Sequence, residues 1–130
     1  MNEPSATPSK PVAADSHPFP KKNRILRSSD FRKVYDQGSK FSCAHFAAFC
    51  LAQPAGNPGP RVGFTVSRAN GKAVVRNRLR RRMREAVRLH LWQLDSRWEV
   101  VFNPRKAALT APMASLEKDV ERLFAQCKNS

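Results

Sequence analysis

Apolar residues recur along this chain in two periods, and the switches between them divide it into elements. Phe31, Val34 and Tyr35 stand at helical spacing. Ser28 or Ser29 is placed to cap that helix, Asp30 sits in its first turn facing the positive dipole end, and Gly38 ends it as a C′ residue. Phe41 to Leu51 reads as one extended segment. His45, Ala47, Phe49 and Leu51 share one face of it, and Phe46, Ala48 and Cys50 the other. Both faces are largely apolar, which predicts a strand covered on both sides. Gln53 to Pro60 holds three prolines and two glycines, so it reads as a loop suited to joining two antiparallel strands.

Val62, Phe64 and Val66 then alternate with Gly63, Thr65 and Ser67. The second face is small and polar, leaving room for something other than side chains to lie against it. Arg68 to Lys72 is a turn around Asn70-Gly71. A long helix is predicted from Val75 to Leu94, with Leu79, Met83, Ala86, Val87, His90, Leu91 and Leu94 on one arc. Arg76 and Arg80 fall on that arc too, as if its first turn overhangs the sheet edge and meets solvent or RNA. Arg97 to Asn103 is a further strand, with Trp98, Val100 and Phe102 on one face. Pro104 to Pro112 is a loop, and a last helix starts near Ser115, carrying Leu116, Val120, Leu123 and Phe124. No internal repeat is visible. The order, α-β-β(-β)-α-β-α, predicts a single-domain α+β sandwich.

Length changes this picture little: 130 residues make one domain with a tail. Residues 1–20 mix Pro, Ser, Ala and Thr without periodicity and are expected to be a disordered, Pro-rich tail. Lys21, Lys22 and Arg24 follow as a basic arm, and the domain runs from 21 to 128. No segment approaches the roughly 20 apolar residues of a membrane span. The N-terminus shows no apolar signal run, so a cytoplasmic location is expected. Cys43, Cys50 and Cys127 form no CxxC pair and no metal spacing, which suits reduced thiols in a cytosol.

Charge changes the picture more. The net charge is +14, and the stretch from Arg61 to Arg88 alone contributes +9, from ten Lys or Arg against the single acid Glu85. A chain this basic repels itself unless a polyanion neutralises it, and nucleic acid is the leading polyanion. The centre of the stretch is Arg76-Asn77-Arg78, followed by Arg80, Arg81, Arg82, Arg84 and Arg88. Guanidinium forks bind phosphate oxygens in pairs and stack on bases. Asn77 offers a donor and an acceptor to a base edge or a 2′-hydroxyl. A merely solvated helix face usually carries both signs of charge; this one has seven arginines and one acid.

The flanking residues narrow the reading. The run Arg61-Val-Gly-Phe-Thr-Val-Ser-Arg68, then Gly71-Lys-Ala-Val-Val75, then Arg76-Asn-Arg-Leu-Arg-Arg81 resembles the signature of bacterial ribonuclease P proteins. The likeness extends to Asp30-Phe31, Val34-Tyr35 and Gly38, and covers about residues 21 to 126. It implies an α-β sandwich with a left-handed βαβ crossover, rare among such units. It implies a protein that binds a catalytic RNA subunit, leaves the chemistry and most of the Mg²⁺ binding to that RNA, and holds the 5′ leader of precursor tRNA, broadening the range of substrates. By the same resemblance the leader cleft, between the first helix and the sheet, takes Phe31, Tyr35, Phe49, Thr65 and Ser67, and the positions for the catalytic RNA and nearby metal are Arg76, Asn77, Arg78, Arg81 and Arg84. The charge of the run adds Arg68, Lys72, Arg80, Arg82 and Arg88 to the expected catalytic-RNA surface. Aromatics among small polar residues independently suit a single-strand groove that tolerates any base. The chain departs from the family at Ala69, where a second basic residue is common, at Lys72, where Asn is usual after the Gly, and at Phe49, which lacks the hydroxyl of some members. A leader contact is accordingly lost or moved.

Other classes fit less well. A ribosomal or general RNA-binding protein would share the charge without needing the aromatic cleft. A membrane-surface anchor would need the apolar arc that the core needs. An autonomous nuclease would need an acid–base or metal-binding set. His17, His45 and His90 are scattered, and Glu117, Asp119 and Glu121 alternate on the last helix rather than converging.

Overall fold

A computed structural model describes residues 23–53 and 59–128. The tail, Lys21 and Lys22 of the basic arm, and most of the loop after Ala52 lie outside the described residues. The order is α1 (Ser28–Gln37), β1 (Ser39–Ser42), β2 (Phe46–Ala52), β3 (Arg61–Phe64), α2 (Ala73–Arg88), β4 (Trp98–Pro104) and α3 (Met113–Lys128). The α+β class and the element order follow the sequence pattern. The strands form one sheet, ordered β1-β2-β4-β3.

Several local expectations are corrected. The single strand over Phe41 to Leu51 is two, β1 and β2, paired antiparallel from Ser39 with Cys50 to Ser42 with Ala47. No Gly or Pro marks the turn between them. It is closed by the Cys43 N–H donating to the Phe46 carbonyl at 2.9 Å. β2 and β3 are not neighbours: both flank β4, β2 antiparallel and β3 parallel to it, so α2 belongs to a parallel β3–α2–β4 crossover. β3 stops at Phe64, although the Thr65 N–H still reaches the Phe102 carbonyl at 2.9 Å. Helix α2 ends at Arg88, not Leu94; a 3-10 turn over Leu91–Gln93 carries the apolar pattern on and still buries Leu94. Neither Ser28 nor Ser29 caps α1; Arg27 holds the cap position without a side-chain bond. Gly38 does end α1, but in extended conformation, φ −83°. A Cβ there would stand 2.5 Å from the Val34 oxygen and 2.8 Å from the Cys50 oxygen, so the requirement is close backbone approach.

The alternation along each strand sorts the core into two layers. Phe46, Ala48, Cys50, Val62, Val100 and Phe102 face Leu79, Met83, Ala86 and Val87 of α2 and Leu116, Val120, Leu123 and Phe124 of α3. Each such large side chain contributes about 1.5–3 kcal/mol by leaving water. The Phe102 ring is their hub, with centroids 5.2 Å from Phe46, 5.6 Å from Phe64 and 6.4 Å from Phe124. The opposite face packs on α1 through Ile25, Val34 and Val101. Here Glu99 is 2% exposed. Arg61 Nη1 donates to it at 2.7 Å, and Gln53 Nε2 at 2.9 Å. The same Arg61 reaches Asp30 of α1 at 3.0 Å, fastening the helix to the sheet.

Candidate nucleic-acid interface

Helix α2 carries the arginine run because its apolar residues fall on one side. Leu79, Met83, Ala86 and Val87 are buried, which leaves Asn77, Arg78 and Arg81 exposed. Among the described residues Arg78 and Arg81 meet no acceptor, so their forks are open to phosphate. With Arg82, Glu85, Leu109 and Met113 they line an open hollow of about 480 Å³.

The other arginines are engaged to differing degrees. Arg76 Nε donates to the Gly71 carbonyl at 3.2 Å, and Arg80 Nη1 to Asn77 Oδ1 at 2.8 Å. Arg88 pairs with Glu85 at 2.7 Å, the one acid of the run. Arg82 is turned inward: Nε donates to the Ala108 carbonyl at 2.9 Å and Nη2 to the Ala111 carbonyl. Its guanidinium closes the loop before α3. Arg68 and Lys72 are exposed beside Gly71, whose φ of 125° suits glycine at the entry to α2.

Arg80, one of the two arginines on the apolar arc, lines the sheet edge at β3 together with Arg84. With Arg24, Leu26, Phe31 and Phe64 they border a groove of about 170 Å³. Arg84 lies 5.8 Å above the Phe64 ring. Burial lowers its pKa, and the positive charges of Arg24 and Arg80 lower it further. Crowded like charges of this kind are relieved when an anion enters.

The aromatic residues gather on the opposite face. Tyr35 and Phe49 meet edge to face, centroids 4.9 Å apart, with Lys40 Nζ 5.8 Å from the Phe49 ring. Phe31, Tyr35 and Phe49 are all half-buried, packed on Ile25, Val34 and Val101. The small-residue face of β3 does accept a side chain: the Phe31 ring lies on Gly63, while Thr65 and Ser67 stay exposed. Ser67 Oγ accepts from the Ala69 N–H at 3.1 Å. One polar residue of this face went unnoticed in the sequence. Asn103 Nδ2 donates to the Tyr35 hydroxyl at 2.7 Å. Its signal was parity: Glu99, Val101 and Asn103 share the face opposite Trp98, Val100 and Phe102.

The three acids of α3 do not converge: Asp119 turns to His45, while Glu117 and Glu121, one turn apart, both face His90, at 3.0 and 3.6 Å.

A basic helix side and an aromatic sheet face are thus joined on one small scaffold. The family model for ribonuclease P matches residues 19–128. The chain belongs to the ribonuclease P protein family. Members of this family are the RNA-binding, tRNA-processing subunits of ribonuclease P. The chain is similar to the ribonuclease P protein component of Acidothermus cellulolyticus, 37% identical over 115 residues, covering 86% of this chain and 96% of that one. The protein component from Symbiobacterium thermophilum is 44% identical over 102 residues, covering 78% and 87%. In fold it is similar to the RNase P protein of Staphylococcus aureus, TM-score 0.70 at 23% identity, covering 83% of this chain and 97% of that one. The Thermotoga maritima RNase P protein gives a TM-score of 0.68 at 22% identity, covering 79% and 96%. No helix among the described residues is long and apolar enough to cross a membrane.

Proposed function

We propose that this chain is the non-catalytic subunit of a cytoplasmic ribonuclease P holoenzyme, with two RNA-binding surfaces. The exposed side of α2 and its entry turn hold the catalytic RNA through Arg68, Lys72, Arg76, Asn77, Arg78, Arg80, Arg81, Arg84 and Arg88. Arg82 backs that surface from beneath. The α1-facing side of the sheet receives the 5′ leader of precursor tRNA on Phe31, Tyr35, Phe49, Thr65 and Ser67. The domain proper is residues 21–128, with 1–20 as its tail. The observation that carries the reading is the sidedness of α2, where Arg78 and Arg81 project with open forks from a helix whose other side is core.

The donor set of α2 fits phosphate rather than Mg²⁺. Its single carboxylate, Glu85, is already paired with Arg88. Mg²⁺ therefore belongs mainly to the RNA, where it supplies the charge stabilisation and activated water of phosphodiester hydrolysis. The protein's contribution is charge and position. A +14 chain at the junction of two RNAs replaces part of the cation screening they otherwise need. The leader contact adds substrate affinity without touching the scissile bond.

Reconstitution from recombinant protein and transcribed RNA tests this. The protein alone should cleave no precursor tRNA at any Mg²⁺ concentration. The RNA alone should cleave slowly at high Mg²⁺, and adding protein should lower the Mg²⁺ requirement. Cleavage by RNA-free protein, abolished by Glu85→Gln or Asp119→Asn, would make the chain a nuclease in its own right.

A further inference from the structure

The β1–β2 turn meets α3 at a side-chain cluster that RNA binding leaves unused. Cys43 and His45 belong to the turn, and Asp119 is a buried residue of α3. The Cys43 sulfur, a His45 ring nitrogen and an Asp119 oxygen all lie within 4.8 Å of one another. His45 Nδ1 and Asp119 Oδ2 are 2.5 Å apart.

We propose that Cys43, His45 and Asp119 form a site for one borderline-soft divalent cation of the Zn²⁺ type, with water as the fourth ligand. The donor types select the ion. Thiolate, imidazole and carboxylate together suit Zn²⁺, whereas Mg²⁺ and Ca²⁺ favour all-oxygen sets. The spacing is close to what such an ion needs. Bonds of about 2.0–2.3 Å in a tetrahedron put the donor atoms roughly 3.3–3.6 Å apart. The present separations, 2.5 Å between His45 and Asp119 and no more than 4.8 Å to the Cys43 sulfur, lie within about 1.5 Å of it. The cation takes the place of the proton between His45 and Asp119, which passes through solvent to His45 Nε2 so that the neutral ring ligates through Nδ1; that pair opens by less than about 1 Å, and the Cys43 side chain turns inward, its thiol proton leaving to solvent.

The backbone that carries the ligands is already pinned. The Cys43 N–H donates to the Phe46 carbonyl at 2.9 Å, and the Arg105 N–H to the His45 carbonyl at 2.9 Å. Arg105 Nη1 donates to the Cys43 carbonyl at 3.0 Å. The thiol donates to the Phe46 carbonyl at 3.4 Å, a weak contact easily exchanged for a metal bond. Arg122 Nη1 donates to the second Asp119 oxygen at 2.9 Å, the outer partner that orients a ligating carboxylate. Its side chain is 66% exposed, so solvent screens its charge from the site. Thiolate and carboxylate together balance a divalent ion. Bound there, the ion fastens the hairpin turn to the last helix.

The test uses the metal-stripped, RNA-free full chain, titrated with Co²⁺ as a spectroscopic probe and then with Zn²⁺. One equivalent of Co²⁺ should give a thiolate-to-cobalt charge-transfer band that Zn²⁺ bleaches and excess Mg²⁺ does not. Cys43→Ser should keep the fold by circular dichroism and lose the band. Zn²⁺ should raise the melting temperature of the parent chain and leave that of Cys43→Ser unchanged. His45→Gln, which keeps a polar partner for Asp119, should weaken Zn²⁺ binding by more than about tenfold, a loss already typical of removing an outer partner. Absence of the band overturns the proposal. So does a band that survives Cys43→Ser, since Cys50 or Cys127 would then be its source.

Discussion

The Phe31 ring covers Gly63 so closely that a Cβ on the glycine would stand 2.5 Å from Phe31 Cε1 and 2.6 Å from Cζ. This contact sets the distance between α1 and the edge of the sheet, and with it the height of the aromatic face. Gly63→Ala should force the ring aside and destabilise the fold by about 1–3 kcal/mol, the usual cost of overpacking. In a Phe31→Leu background the penalty should shrink, because the two residues are coupled. Urea denaturation of the four chains measures it; equal penalties in both backgrounds would show that the contact is not limiting.

Arg61 belongs to the basic stretch by sequence and to the core by structure. Its Nη1 answers the buried carboxylate of Glu99 at 2.7 Å. Arg61→Leu should cost about 3–5 kcal/mol, because it strands a buried charge. Arg61→Leu with Glu99→Gln should recover much of that loss. Thermal unfolding of single and double variants checks both statements, and a near-neutral Arg61→Leu would contradict them.

Arg81 and Arg82 are adjacent in sequence and opposite in role. Arg81 projects from α2, and Arg82 holds the Ala108 and Ala111 carbonyls. Arg81→Ala should leave stability unchanged, weaken binding to the catalytic RNA, and reduce the salt slope by about 0.7–0.9. Arg82→Ala should lose about 1.5–3 kcal/mol of stability, as for charge-assisted bonds. Paired salt titrations and melting curves separate them; exchanged phenotypes would reverse the assignment.

Much of this was legible in the sequence because periodicity reports which face is covered. Phe46, Ala48 and Cys50 did separate from Phe49 and Leu51, and Leu79, Met83, Ala86 and Val87 did mark the buried side of α2. The turn at Cys43 to His45 was invisible, because it is closed by a backbone bond and by Arg105, which lies 62 residues from Cys43. The partner of β3 was illegible for a similar reason: β4 comes from beyond α2, and register is a tertiary property. Composition could not tell Arg82 from Arg81 either, since the difference lies in which carbonyls come within reach.

The central claim is that two separate surfaces bind two RNAs. Its most direct measurement is the affinity of the assembled holoenzyme for precursor tRNA and for mature tRNA, taken beside the affinity of the protein for the catalytic RNA. Tyr35→Leu with Phe49→Leu keeps apolar volume against Val34 and Val101 but removes the rings. At about 1–3 kcal/mol per stacked base, it should cut the preference for precursor over mature tRNA by about tenfold or more and leave assembly with the catalytic RNA intact. Arg78→Ala with Arg81→Ala should do the reverse, weakening assembly whatever the tRNA. Identical defects from the two pairs would contradict the account.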